Sequence, residues 1–369
     1  MIDIKSLSAE WLSTKQANYK KDPSIMESMI YALYLLEQLQ LTGLDFIFKG
    51  GTSLLLLLEA PSRFSVDIDI IVKPSITQEE LEKHLSKIIA SGIFSEFILD
   101  EKRSYKKGIP KAHYKFIYKS NVSSKSKENQ VLSNPEREIL LDVLFETNPY
   151  QTIIESPIKN DWIIIQDKII TVSTPDINSI TGDKLTAFAP NTIGVKYKVD
   201  KEKEIIKQLY DLGCLFNVIT NIEILKKTYR GIAQNEINYR TESKIEIEHA
   251  LKDKIETALI LAKGDMQSND EDRTKFAELK TGVNHFAHYV YIGKFSIVDA
   301  QLAGAKVAYL AAIILSDHKG NLKIFDTKVP LADYIITHPD YNFLNKRLKF
   351  IAQGEALFYW NEVVKLLYS

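Results

Sequence analysis

The segment Lys49-Gly50-Gly51-Thr52-Ser53-Leu54, followed shortly by Arg63-Phe64-Ser65-Val66-Asp67-Ile68-Asp69-Ile70, constrains this chain more than any other stretch. Paired glycines make a turn that can approach a phosphate closely, and two carboxylates one residue apart on a strand project to the same side. Asp67 and Asp69 would then hold divalent ions while the phosphates of a nucleoside triphosphate sit over the glycine turn, because hard oxygen ligands suit Mg2+. Val66, Ile68 and Ile70 would face a core. A third acid, Asp142, stands in the apolar run Ile139-Leu140-Leu141-Asp142-Val143-Leu144-Phe145. A carboxylate there is costly unless it binds a metal, accepts hydrogen bonds or lies at an open sheet edge. Gly-Gly-Thr alone is an ordinary turn and Asp-x-Asp alone a common surface loop; their combination with Asp142 favours a catalytic site.

A chain of 369 residues can bury one large core or two moderate ones. Two domains are expected, an N-terminal α/β region over 1–173 and a mainly helical region over 174–369. With 47 Lys and Arg against 48 Asp and Glu the formal charge is -1, so nucleic acid would need a local basic patch. The single cysteine, Cys214, excludes an internal disulfide framework and is expected as a buried small hydrophobe. Met1-Ile2-Asp3-Ile4-Lys5 lacks a signal-peptide run, and no later segment reaches about eighteen uninterrupted apolar residues. The expectation is a soluble, cytoplasmic protein with no membrane partner.

Asp22-Pro23 opens a helix with Met26, Met29, Ile30, Leu33 and Leu36 inward and Glu37 toward solvent. Residues 45–48 suit a strand entering the glycine turn, 53–59 a helix leaving it and 63–72 the next strand. Ser75 or Thr77 caps a helix that turns Leu81, Leu85, Ile88 and Ile89 inward, and residues 93–100 and 112–119 read as paired strands. Between these strands lies a basic loop whose Lys102, Arg103, Lys106, Lys107 and Lys111 are candidate acceptor-binding residues, with His113 and Lys115 just beyond. It could take a triphosphate tail or an RNA backbone, with Tyr105 or Tyr114 stacking, or be a plain solvated hairpin. Ser120 to Pro135 reads as a polar excursion.

Thr174-Pro175 marks a helical segment through Asp183-Lys184-Leu185-Thr186-Ala187 to Pro190. In the following helix the spacing of Lys207 and Asp211 permits an ordinary exposed ion pair. Beyond it the chain reads mostly helical, with an alanine-rich run from Ala300 to Ala311 suited to close packing. Phe350, Ala352, Phe358, Trp360 and Val363 would finish that core or receive a partner. His285 and His288 lack further ligands at a zinc-site spacing.

Phe48-Lys49-Gly50-Gly51-Thr52-Ser53-Leu54 and Arg63-Phe64-Ser65 with Asp67 and Asp69, followed by Asp183-Lys184-Leu185-Thr186-Ala187 and Lys207-Gln208-Leu209-Tyr210-Asp211-Leu212, resemble the AbiEii/AbiGii toxin family of nucleotidyltransferases. That family lies within the polymerase-beta-like superfamily, and the resemblance spans roughly residues 40 to 215. It implies a mixed-sheet α/β core with a helical C-terminal domain that contributes Lys184 and Asp211 to the site. It further implies that Gly50, Gly51, Thr52, Ser53, Arg63, Lys184 and Lys207 bind nucleotide, and that Asp67, Asp69 and Asp142 hold two Mg2+ ions, with Mn2+ as an alternative. Asp67, Asp69, Asp142, Lys184 and Asp211 become the catalytic set. One departure is Gln208, where many members carry an acid. The activity implied is transfer of a nucleoside monophosphate from an NTP to the 3′ end of tRNA or another RNA, as a toxin with a cognate antitoxin encoded nearby. Nucleotidylation of a protein hydroxyl and a noncatalytic nucleotide- or RNA-binding module are the alternatives.

Overall fold

Alternating strands and helices build the first of two units in a computed structural model that describes residues 1–105, 110–125, 131–240 and 244–368. Met1–Asp176 and Tyr289–Gly293 form this unit, and Ile177–His288 with Lys294–Ser369 form the other.

In the first unit α1 (Ala9–Tyr19) precedes α2 (Pro23–Leu41). Asp22 caps α2 by accepting the Ser24 N–H at 2.8 Å, and Pro23 occupies the first turn, where no donor is needed. Met26, Met29, Ile30, Leu33 and Leu36 are buried as their spacing indicates. Glu37, expected toward solvent, is buried too. Its carboxylate accepts the Ile2 N–H at 2.8 and 3.0 Å, because the chain start folds over the helix, and burial raises its pKa.

The unit continues through β1 (Phe46–Lys49), α3 (Gly50–Leu57), β2 (Ile68–Val72), α4 (Gln78–Ile89), β3 (Phe94–Leu99), β4 (Lys111–Lys119), β5 (Ser124–Lys125), β6 (Val131–Leu132), β7 (Glu136–Phe145), β8 (Ile153–Pro157) and β9 (Thr171–Pro175). Five strands make one mixed sheet in the order β1-β2-β7-β4-β3, parallel only between β2 and β7. Thr77 and Glu80 form a reciprocal cap on α4, which buries Leu81, Leu85 and Ile88 and leaves Ile89 half-buried. The polar stretch before β7 holds the short β5–β6 pair.

The helix expected over 53–59 already starts at Gly50 and ends at Leu57, and two further boundaries differ from the sequence expectation. The strand placed over 63–72 begins only at Ile68, since the preceding residues are held outside the sheet: Phe64 N–H bonds the Tyr289 carbonyl at 2.9 Å, and Arg63 bridges Val290. Asp67 therefore precedes the strand that carries Asp69. Thr174 and Pro175 end β9 rather than open a helix.

The second unit is helical: α5 (Ile177–Ala187), α6 (Glu202–Phe216), α7 (Ile222–Asn238), α8 (Ile247–Lys263), α9 (Asp270–Phe286), α10 (Ile297–Leu315), α11 (Leu344–Leu348) and α12 (Glu355–Tyr368). Ala300, Ala303, Gly304, Ala305, Ala308 and Ala311 are buried in α10, whose small side chains let it pack against α6, α8 and α12. α10 is long and apolar enough to cross a membrane, but 78% of its apolar window is buried inside this unit, which marks it as a core helix. Cys214 is half-buried rather than sealed. Trp360 and Val363 join the core, whereas Phe350 is 81% exposed and Ala352 lies at the surface, because Ala352 and Gln353 take left-handed conformations before α12 begins.

Candidate active site

Strand alternation sets the site. On β1, Phe46 and Phe48 are buried and Lys49 turns to the opposite face. Asp69 stands between buried Ile68 and Ile70, Asp142 between buried Leu141 and Val143, and His113 between buried Ala112 and Tyr114. Register then aligns these outliers. Lys49 pairs with Asp69, Asp69 with Asp142, and Asp142 with His113, so one row crosses four strands on the face away from the core. At about 4.8 Å per strand the row spans about 14 Å. Lys49, Asp69, Asp142 and His113, with Lys111, line a cleft of about 100 Å3.

The glycine turn abuts the same row. Gly50 has φ +78°, and a Cβ there would fall 2.0 Å from Asp69 Oδ2. A Cβ on Gly51 would fall 2.6 Å from Arg63 Nη2 and 3.0 Å from Ser65 Oγ. Only glycine lets the Asp69 carboxylate and the Arg63 guanidinium lie directly against the start of α3. Arg63 is buried and its Nη1 donates to the Phe64 carbonyl at 2.9 Å. Thr52 and Ser53 are sealed from solvent and organise the turn. Thr52 Oγ1 is hydrogen-bonded to the Ser65 hydroxyl at 2.8 Å and to the Asp67 carbonyl at 2.5 Å, while the Ser53 hydroxyl donates to the Gly50 carbonyl at 2.9 Å.

At the other end of the row His113 Nδ1 lies 2.6 Å from Asp142 Oδ1, and Arg103 Nη2 lies 3.9 Å from Asp142 Oδ2. Lys102 and Arg103 are exposed and Lys111 is half-buried. Lys106 and Lys107 lie outside the described residues. Tyr114, considered for base stacking, is sealed in the core, where the strand period places it. Its hydroxyl donates to Glu82 at 3.1 Å, and burial pushes its pKa far above the usual phenol range. Tyr105 remains 42% exposed.

Within the helical unit Lys184 on α5 and Asp211 on α6 form a buried ion pair, Nζ to Oδ2 2.7 Å. Asp211 is thus buried against Lys184 across the helix interface rather than exposed, with Lys207 one turn earlier on α6. Gln208 Oε1 accepts from Lys184 Nζ at 3.4 Å, so the position that departs from the family pattern touches the same lysine. His285 is paired with Glu202 at 3.1 Å.

Sequence reasoning missed Lys49, Ser65 and His113 as members of these clusters. Lys49 and His113 had a signal in strand alternation beside the acids; Ser65 had none. Among the described residues no group of three His, Cys, Asp or Glu side chains is arranged to enclose a metal unaided. Asp69 and Asp142, register partners on β2 and β7, would offer a metal oxygen donors only, as would Asp67 just before β2. That set fits Mg2+, which usually takes one or two carboxylates and completes its shell with water and substrate phosphate oxygens.

A family model described as nucleotidyl transferase AbiEii toxin, type IV toxin–antitoxin system, matches residues 34–282, more than half of the chain. No curated protein matches the chain. Among solved structures, an antigenic nucleotidyltransferase-like protein from Paracoccidioides brasiliensis is similar at 14% identity and a TM-score of 0.32, over 58% of this chain and 91% of that one. The assignment therefore rests on the family match.

Proposed function

The chain belongs to the AbiEii family of nucleotidyltransferase toxins, and from that premise we propose that it moves a nucleoside monophosphate from an NTP to an acceptor hydroxyl, with Mg2+ or Mn2+, as the toxin of a cytoplasmic toxin–antitoxin pair. The observation that carries the proposal is the register of Asp69 beside Asp142, with Asp69 pressed against Gly50 at the start of α3. Free backbone N–H groups at a helix start suit phosphate, and the adjoining Arg63 guanidinium adds positive charge.

Asp67, Asp69 and Asp142 would hold the metal. When bound, it would offset triphosphate charge and lower the pKa of the attacking hydroxyl. The acceptor oxygen bonds to the α-phosphorus, the bond from that phosphorus to the bridging oxygen of the β-phosphate breaks, and pyrophosphate leaves. Asp142 would either share the metal or accept the hydroxyl proton. Lys184, fixed within its own unit by Asp211, is the cation that the family resemblance assigns to phosphate, and Lys207 is a second nucleotide contact on the same basis. Lys102, Arg103 and Lys111 supply a local basic surface for an RNA acceptor, tRNA foremost, on a chain with no general excess of positive charge. A cognate antitoxin is the partner implied by the family.

The test is to incubate the purified chain with total RNA and total protein and each radiolabelled NTP. Label on small RNA with pyrophosphate release, abolished by Asp67→Ala or Asp69→Ala in folded protein, is expected. Label confined to protein would move the acceptor to a protein hydroxyl. Nucleotide or RNA binding without any labelled product would point to a noncatalytic module, and failure to bind any Mg2+-NTP would sink nucleotidyl transfer.

A further inference from the structure

We infer that His113 is a positioning residue for Asp142: its Nδ1–H fixes the carboxylate so that one oxygen is presented to the metal. The inference rests on the proposed function, since it takes Asp142 to be a metal ligand. His113 on β4 is the direct cross-strand partner of Asp142 on β7, and the Nδ1 to Oδ1 distance is 2.6 Å. An ionised carboxylate can only accept, so Nδ1 carries the proton and donates.

The residue itself is held through its backbone. Its backbone N–H donates to Ser104 Oγ at 2.8 Å and its carbonyl accepts the Asp100 N–H at 2.8 Å, which pins this residue to the turn after β3. Both side chains are mostly enclosed, at 14% and 28% exposure, and both line the cleft that contains Asp69. With Oδ1 engaged by the imidazole, Oδ2 is the oxygen that a metal would take, and its contact with the Arg103 guanidinium is a long ion pair of 3.9 Å. The terminal torsion of an aspartate is broad and roughly two-fold, so its orientation must come from a partner. Partners that orient metal-binding carboxylates typically contribute about 10- to 100-fold in metal affinity.

The geometry makes a chemical distinction between replacements. Asparagine can place an amide N–H where Nδ1 stands, whereas glutamine places it one bond further out, near Nε2. Mn2+ is titrated calorimetrically into the full chain in the presence of each of the four α,β-methylene NTPs, which cannot transfer. Circular dichroism confirms folding. His113→Ala is expected to weaken Mn2+ binding about tenfold, His113→Asn to restore most of it and His113→Gln to restore little. If His113→Ala does not fold, the contrast between Asn and Gln decides. Unchanged binding in His113→Ala, with binding lost in Asp142→Ala, would overturn the role of His113 and leave the metal site standing. Equal losses in Asn and Ala, or equal rescue by Asn and Gln, would also overturn it. Unchanged binding in Asp142→Ala, or no Mn2+ binding by the unaltered chain, would instead remove Asp142 from the metal site and His113 with it.

Discussion

Lys184 Nζ and Asp211 Oδ2 lie 2.7 Å apart with side-chain exposures of 6% and 1%, so the two charges face each other in a site sealed from solvent. Removing one partner of a buried ion pair typically costs about 3–5 kcal/mol, whereas the long 3.4 Å contact from the ammonium to the uncharged Gln208 amide is worth about 1 kcal/mol. Asp211→Ala should therefore destabilise the chain far more than Gln208→Ala in urea unfolding. Replacing both members by apolar residues, Lys184→Met with Asp211→Leu, should recover most of the stability and yet release no pyrophosphate. An active double variant would remove Lys184 from the chemistry.

Gly50 and Gly43 both have left-handed φ values, +78° and +80°, but a Cβ on Gly43 meets nothing within 4 Å while one on Gly50 collides with the Asp69 carboxylate. Gly43→Ala should cost about 1–2 kcal/mol of backbone strain and leave catalysis intact. Gly50→Ala adds displacement of Asp69, for which a loss of about 100-fold in kcat/KM is expected. Equal activity in the two variants would show that the close approach has no catalytic role.

The β1–glycine turn–α3–β2 order was legible because Phe46 and Phe48 alternate with Lys49 and because Gly50 follows directly. Asp142 was legible as an acid in an apolar strand. Its partner was not: which residue of β4 faces Asp142 depends on a register set across a polar excursion, and local patterning carries no such information. The same strand's alternation does place Tyr114 in the core with Phe116, against the expectation of a stacking platform. Glu37 was misplaced because its partner, the Ile2 N–H, comes from the chain start. Asp211 looked like half of an exposed i,i+4 pair, but it is buried against Lys184 on another helix.

Thr52 joins the glycine turn to the acid pair through its hydroxyl, which contacts both Ser65 Oγ and the Asp67 carbonyl. Thr52→Val keeps the shape and deletes both bonds, at a cost of about 1–3 kcal/mol. Activity should fall as well, because that bond is one tie on the segment bearing Asp67, which lies outside the sheet. Thr52→Ser, which keeps the hydroxyl, should restore both stability and pyrophosphate release. A valine variant with full activity would show that the carbonyl contact does not position Asp67.

Lys254 is wholly buried on α8, where its Nζ donates to the Tyr229 hydroxyl at 3.0 Å and to the Ala250 carbonyl at 2.9 Å. Burial brings its pKa down to about 7, against a smaller opposing effect of Asp253. Between that value and the ordinary lysine pKa, the folded chain binds fewer protons at this site than the unfolded chain. Stability therefore rises with pH across the window, by up to about 1.4 kcal/mol per pH unit. Below about pH 7 both states are charged there, and the slope from this residue vanishes. Other groups titrate as well, so the informative quantity is the difference in unfolding free energy between the unaltered chain and Lys254→Met. Urea titrations at pH 7 and pH 9 should show that difference shifting in favour of the unaltered chain by roughly 2 kcal/mol. A difference independent of pH would mean that Lys254 stays charged in the core, with Tyr229, Ala250 and Asp253 sufficient to hold the ammonium.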